Sequence, residues 1–150
     1  IGGVTTGQLN GVDVIDLQTG WAVGVSGLIR RLQTGTWTSI TSPTTETLHD
    51  VTLTDAQNGW AVGARGAVLR LSAGVWSVVP AVTNRSLFSV TVGADGTVWA
   101  VGEAGTVLRN TGTAWEQCSY GAATEPTLRS VTAQGADVWA VGSGAHRRKL

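Results

Sequence analysis

Asn58-Gly59-Trp60-Ala61-Val62-Gly63-Ala64-Arg65-Gly66-Ala67-Val68-Leu69-Arg70 reads as two short apolar strands separated by a glycine turn. Upstream, Leu48-His49-Asp50-Val51-Thr52-Leu53-Thr54 sets Val51 and Leu53 between polar neighbours, the alternation of a half-buried strand. Between these strands, Asp55-Ala56-Gln57-Asn58-Gly59 predicts a hairpin turn whose positive φ is supplied by Asn-Gly. Downstream, Ser72-Ala73-Gly74 is a further turn and Val75-Trp76-Ser77-Val78-Val79 a fourth strand. Residues 80–86 then form a loop leading out of this unit.

The same pattern recurs along the chain. Trp-Ala-Val-Gly occurs four times, beginning at Trp21, Trp60, Trp99 and Trp139, in steps of 39, 39 and 40 residues. A leucine precedes each copy (Leu9, Leu48, Leu87, Leu128), at offsets of 12, 12, 12 and 11. A second glycine recurs at Gly27, Gly66 and Gly105, and a second tryptophan at Trp37, Trp76 and Trp115. Three features held in phase account for all seven tryptophans and define a structural repeat.

Four antiparallel strands in about 40 residues, repeated, predict an all-β chain of β-propeller blades. A sandwich of repeated hairpins is the competing architecture. A β-helix needs a shorter period, and an α-solenoid needs the 3.6-residue apolar spacing that is missing here. Units at residues 9–40, 48–79 and 87–118 are complete. A partial fourth begins at residue 128. Gly144 there comes one residue early, and Ala145-His146-Arg147-Arg148-Lys149-Leu150 stands where the apolar third strand belongs. Residues 1–8 are expected to be the tail of a preceding outer strand. The 150 residues thus read as one partial propeller of about three and a half blades. An open arc exposes apolar faces, so a second copy is expected to complete the ring. The alternative is a piece, natural or laboratory-derived, of a larger propeller.

Lys and Arg number ten against ten Asp and Glu, for a formal net charge of zero. With no basic stripe, nucleic-acid binding is not expected. No apolar run of about 18 residues predicts membrane insertion. One cysteine, Cys118, excludes an internal disulfide and a Cys-rich metal site; it falls where Ile40 and Val79 fall, as a small apolar residue. No nucleophile elbow, phosphate loop or metal-spaced histidine pair is present, so neither catalysis nor a cofactor is expected. Asp13, Asp50, Asp55 and Asp95 are expected to serve turn chemistry. The fixed phase of the tryptophans assigns them to packing between blades rather than to a sugar platform.

The run 58–70 and its counterparts resemble the repeats of the photosystem II stability/assembly-factor family, and more widely BNR/Asp-box propellers. The Asp-box counterparts Leu32-Gln33-Thr34-Gly35-Thr36-Trp37, Leu71-Ser72-Ala73-Gly74-Val75-Trp76 and Asn110-Thr111-Gly112-Thr113-Ala114-Trp115 keep glycine and tryptophan but lack the aspartate. The resemblance implies a protein-binding or assembly scaffold in an extracytoplasmic bacterial setting. A lectin-like propeller that binds glycans is the alternative.

Specificity belongs to positions where the repeat does not dictate the residue. His49 stands where Asn10, Phe88 and Arg129 stand in the other units. Ser26, Arg65 and Glu103 lie in the turns between second and third strands, and Arg85 in the loop before the third unit. These turns and loops share one rim of a propeller. Ser26, His49, Arg65, Arg85 and Glu103 are therefore the candidate ligand-binding residues. Arg30, Arg70 and Arg109 recur at the end of the third strand, with Arg31 beside the first, and are expected to pair with acids or cover apolar surface.

Overall fold

A computed structural model describes residues 7–118, 125–145 and 147–150. The tail expected at residues 1–8 lies largely outside the described residues. The first sheet contains β1 (Leu9–Asp16), β2 (Thr19–Gly24), β3 (Ile29–Gln33) and β4 (Thr36–Ile40). The second contains β5 (Leu48–Asp55), β6 (Asn58–Gly63), β7 (Val68–Ser72) and β8 (Val75–Val79). The third contains β9 (Leu87–Val92), β10 (Val98–Gly102), β11 (Val107–Asn110) and β12 (Trp115–Cys118). The fourth contains β13 (Leu128–Gln134), β14 (Asp137–Gly142) and β15 (Arg147–Lys149). Every sheet is antiparallel and ordered as the chain runs. Among the described residues there is no α-helix.

Neighbouring sheets meet along their first strands, β1 beside β5, β5 beside β9 and β9 beside β13. First strands are therefore innermost and β4, β8 and β12 outermost, the radial stacking of propeller blades rather than a two-layer sandwich. Each seam is an apolar core. Trp21, Val23 and Ile29 of the first blade pack on Leu48, Ala61, Leu69 and Trp76 of the second. Trp60, Val62 and Val68 repeat that face against the third blade. The second-strand indole of one blade meets the outer-strand indole of the next edge to face. Trp21 and Trp76 have centroids 5.5 Å apart, and Trp60 and Trp115 5.3 Å apart. Such pairs add about 0.5–1.5 kcal/mol beyond burial.

Local geometry departs from the sequence reading at three places. Asn58-Gly59 is not the hairpin turn: Asp55 pairs with Asn58, leaving Ala56-Gln57 at the tip, and the Asp55 carboxylate accepts the Gln57 N–H at 2.8 Å. Gly59 is a strand residue because a Cβ there would lie 2.5 Å from the Thr52 carbonyl oxygen. The left-handed hairpin turns are instead Thr34-Gly35 and Ala73-Gly74, within the degenerate boxes.

The fourth blade does form its third strand. Val141 pairs with Arg147 as Val23 pairs with Ile29, so the repeat stays in register. Gly144, at φ 67°, holds the left-handed place of Ser26, Arg65 and Ala104. Backbone pairing carries this edge strand, which tolerates basic residues.

The arginine phase also shifts. Arg31, not Arg30, is the counterpart of Arg70 and Arg109, each opposite the first tryptophan of its blade. Their guanidinium carbons lie 5.4, 4.7 and 5.9 Å from the centroids of Trp21, Trp60 and Trp99. Arg30 holds the place of the core residues Leu69 and Leu108, is buried, and has an Nη2 without an acceptor.

Candidate functional site

Each first strand begins with a bulge at the same place. The pairing slips between Leu9 and Gly11, between Leu48 and Asp50, between Leu87 and Ser89, and between Leu128 and Ser130. The extra residues are Asn10, His49, Phe88 and Arg129. A bulge frees one residue from the ladder and re-aims its side chain. Four bulges in phase set four unlike side chains in a row on the innermost strands.

The row is continuous. The Asn10 amide donates to the Leu48 carbonyl at 2.8 Å. The His49 and Phe88 rings lie 5.2 Å apart, tilted by 46°. The Arg129 guanidinium sits over the Phe88 ring at 4.5 Å. His49 and Phe88 are half-buried, whereas Asn10 and Arg129 are exposed. Burial holds the His49 pKa below its usual 6.5; Glu103 nearby opposes that shift and Arg129 adds to it. A neutral imidazole, an aromatic face, a stacked cation and a carboxylate thus meet on one rim.

The expected site residues occupy that same end of the blades but are not all available. Glu103 accepts the Ser86 N–H at 2.8 Å, and Arg85 donates to the Ala104 carbonyl at 3.1 Å. The two bonds fasten the loop entering the third blade to that blade's own turn. Arg65 pairs with Glu46 at 3.5 Å, an exposed contact of little stabilising value. Ser26 and Arg65 are left-handed turn residues, at φ 52° and 55°; in the third blade that place belongs to Ala104, with Glu103 one residue earlier. Of the five, His49 lies in the row, Glu103 acts on it electrostatically, and Arg85 is tied to the turn that contains Glu103. Ser26 and Arg65 belong to the turns of the first two blades. Sequence reasoning passed over Phe88 and Arg129 as site residues. The signal that finds them is the repeat alignment that singled out His49.

Two of the four aspartates serve seams rather than turns. Asp13 accepts the Leu53 N–H at 2.7 Å and Asp50 the Val90 N–H at 2.9 Å, each clasping one innermost strand to the next. Ser89 repeats the clasp, accepting the Val131 N–H at 3.3 Å. Asp55 and Asp95 do serve turns, and their backbone hydrogen bonds hold both carboxyls below the usual range.

No protein-family model and no curated protein sequence matches the chain. Solved structures match it as a fold. It aligns over 97% of its length with 50% of YCF48 bound to D1 peptide, at a TM-score of 0.74 and 21% identity. It covers 95% of itself and 55% of a virginiamycin B lyase from Staphylococcus aureus, at a TM-score of 0.74 and 17% identity. The WD40 β-propeller domain of Doa1 gives a TM-score of 0.78 at 12% identity, over 94% of this chain and 50% of that one. The chain therefore spans about half the length of these propellers. A lyase stands beside a peptide-bound protein among them, so the fold leaves the chemistry to the site.

Proposed function

We propose that this chain is a non-enzymatic propeller scaffold that binds a protein segment across the row Asn10, His49, Phe88 and Arg129. The observation that carries the reading is the four in-phase bulges, which hold unlike side chains at one place in an otherwise regular frame. An aromatic face, a stacked guanidinium and a neighbouring carboxylate suit a peptide of mixed character. The assembly-factor resemblance of the repeats, and the likeness to a YCF48 structure holding a peptide, support it. A lectin-like propeller would present equivalent donors in each blade, and these four residues differ in size and charge. Among the described residues, no group of three His, Cys, Asp or Glu is placed to hold a metal. Among the same residues, no helix is long and apolar enough to cross a membrane. Completion of the ring by a second copy belongs to the same proposal.

Peptides selected from a random display library against the purified chain test the reading. Phe88→Ala and the exposed Arg129→Ala should each weaken a selected peptide by about tenfold or more, and Ser26→Ala should leave it unchanged. Failure to enrich any peptide, or equal binding by all three variants, overturns it. A glycan array run alongside should be blank.

A further inference from the structure

At the seam between the second and third blades lies a hollow of about 610 Å³, walled by Trp60, Trp115, Val79, Pro80 and Val82. A second of about 200 Å³ adjoins it, and Arg70, Asn110 and Gly112 line both. The repeat shows what is different here. Leu32 and Leu71 pair with the outer-strand tryptophans of the first two blades; in the third, Asn110 takes that place opposite Trp115. Asn110 is buried, and its Oδ1 accepts the Gly112 N–H at 2.7 Å.

Arg70, like Arg31, faces a neutral residue across its strand pair, but Arg70 is the one that lines a hollow. Its counterpart Arg109 faces Glu116 across the strand pair and bonds it at 3.2 Å. Opposite Arg70 stands Ser77, so its guanidinium lies over the Trp60 ring without an acid partner among the described residues. Trp115 adds a buried Nε1–H with no acceptor. Trp21 and Trp76 share that unpaired group, so it marks no site; what is particular to Trp115 is that it lines the hollow together with Arg70.

We infer that this seam binds a carboxylate carried on an apolar body. The planar guanidinium of Arg70 takes the carboxylate by paired N–H bonds. Val79, Pro80 and Val82 take the apolar part, against the Trp115 ring that lines the same hollow. A single guanidinium matches one negative charge, which favours a carboxylate over a phosphate dianion. This site is independent of the bulge row, and neither proposal depends on the other.

The same chemistry reaches the seam either as a free acid or as the C-terminus of a chain, and the experiment separates them. Hexanoate, a short peptide ending in a leucine carboxylate, its C-terminal amide and hexanamide are titrated into the protein. The readout is the indole N–H resonance of Trp115. At least one carboxylate form should shift it saturably, and the amides should not. Arg70→Gln should weaken the effect by about tenfold. Asn110→Leu, which puts the leucine of the other blades into the wall shared by both hollows, should abolish it. Response to the peptide alone assigns a chain terminus, and response to hexanoate assigns a small acid. An unmoved resonance, equal binding of the amides, or unchanged binding by Asn110→Leu overturns the inference.

Discussion

A methyl group on Gly63 would lie 2.1 Å from the Thr47 carbonyl oxygen, and one on Gly24, Gly102 or Gly142 would meet its counterpart at 2.0 Å. The last residue of Trp-Ala-Val-Gly is thus fixed by backbone approach: the next N–H, that of Ala64, bonds the same Thr47 oxygen at 2.8 Å. Gly63→Ala should cost more than about 2 kcal/mol, because backbone on both sides must shift. Gly74→Ala meets open space and bears only its positive φ, about 1 kcal/mol. Urea unfolding of the two variants checks the contrast. His49 supplies a pH test. Its folded pKa lies below 6.5, so the stability tied to the neutral ring is complete above that value and is lost as pH falls through the folded one. The urea midpoint should drop between about pH 7.5 and about pH 5.5, and His49→Gln should reduce the drop. That His49 is distinctive could be read from the repeat. That its ring rests on Phe88, 39 positions on in the sequence, could not, because a bulge aims it there.

Among elements, the innermost strands carry a contact that no strand pattern announces. Asp13 and Leu53 lie 40 residues apart, yet the carboxylate caps the Leu53 N–H on the neighbouring strand. Asp13→Ala leaves that donor without its partner and should cost about 1–3 kcal/mol, read as a lower thermal midpoint with unchanged strand content. Trp76→Ala removes an indole buried to 6% exposure and its edge-to-face partner, and should cost about 3–5 kcal/mol. Strand positions were legible because alternation and turn residues are local signals. The hairpin at Ala56-Gln57 was misplaced because Asn-Gly carries the stronger turn propensity, and a close carbonyl claimed Gly59 for the strand instead. The basic third strand of the fourth blade was missed for a related reason. Its side chains argued against burial, while its backbone still had β14 to pair with.

Over the whole molecule, the seams show what the two outer faces lack. Trp21, Trp60, Trp76 and Trp115 are buried in indole pairs, whereas Trp37 is 41% exposed on the first blade and Trp139 45% exposed on the fourth. Leu9, Val12 and Val141 are exposed beside them. Among the described residues, Trp139 is a second-strand indole without an outer-strand partner, and Trp37 is an outer-strand indole without a second-strand one. In the proposed ring of two copies, Trp139 of one copy would face Trp37 of the other as Trp21 faces Trp76 within one. Under the proposal that a second copy completes the ring, light scattering should give at least twice the monomer mass, and Trp37→Asp should return the monomer. A monomeric wild type ends that proposal.

The repeat alone determined the propeller: a fixed period with tryptophan, glycine and leucine in phase repeats one local structure, and such sheets bury their faces only by stacking on one another. It also marked the positions where the frame leaves the residue free. Tertiary structure decided which of those free residues touch, which arginines face an acid, and which turn residues are already bound to their neighbours. Those outcomes depend on side chains some 40 positions apart meeting across a seam, and a period fixes the spacing of such residues without fixing what each finds opposite.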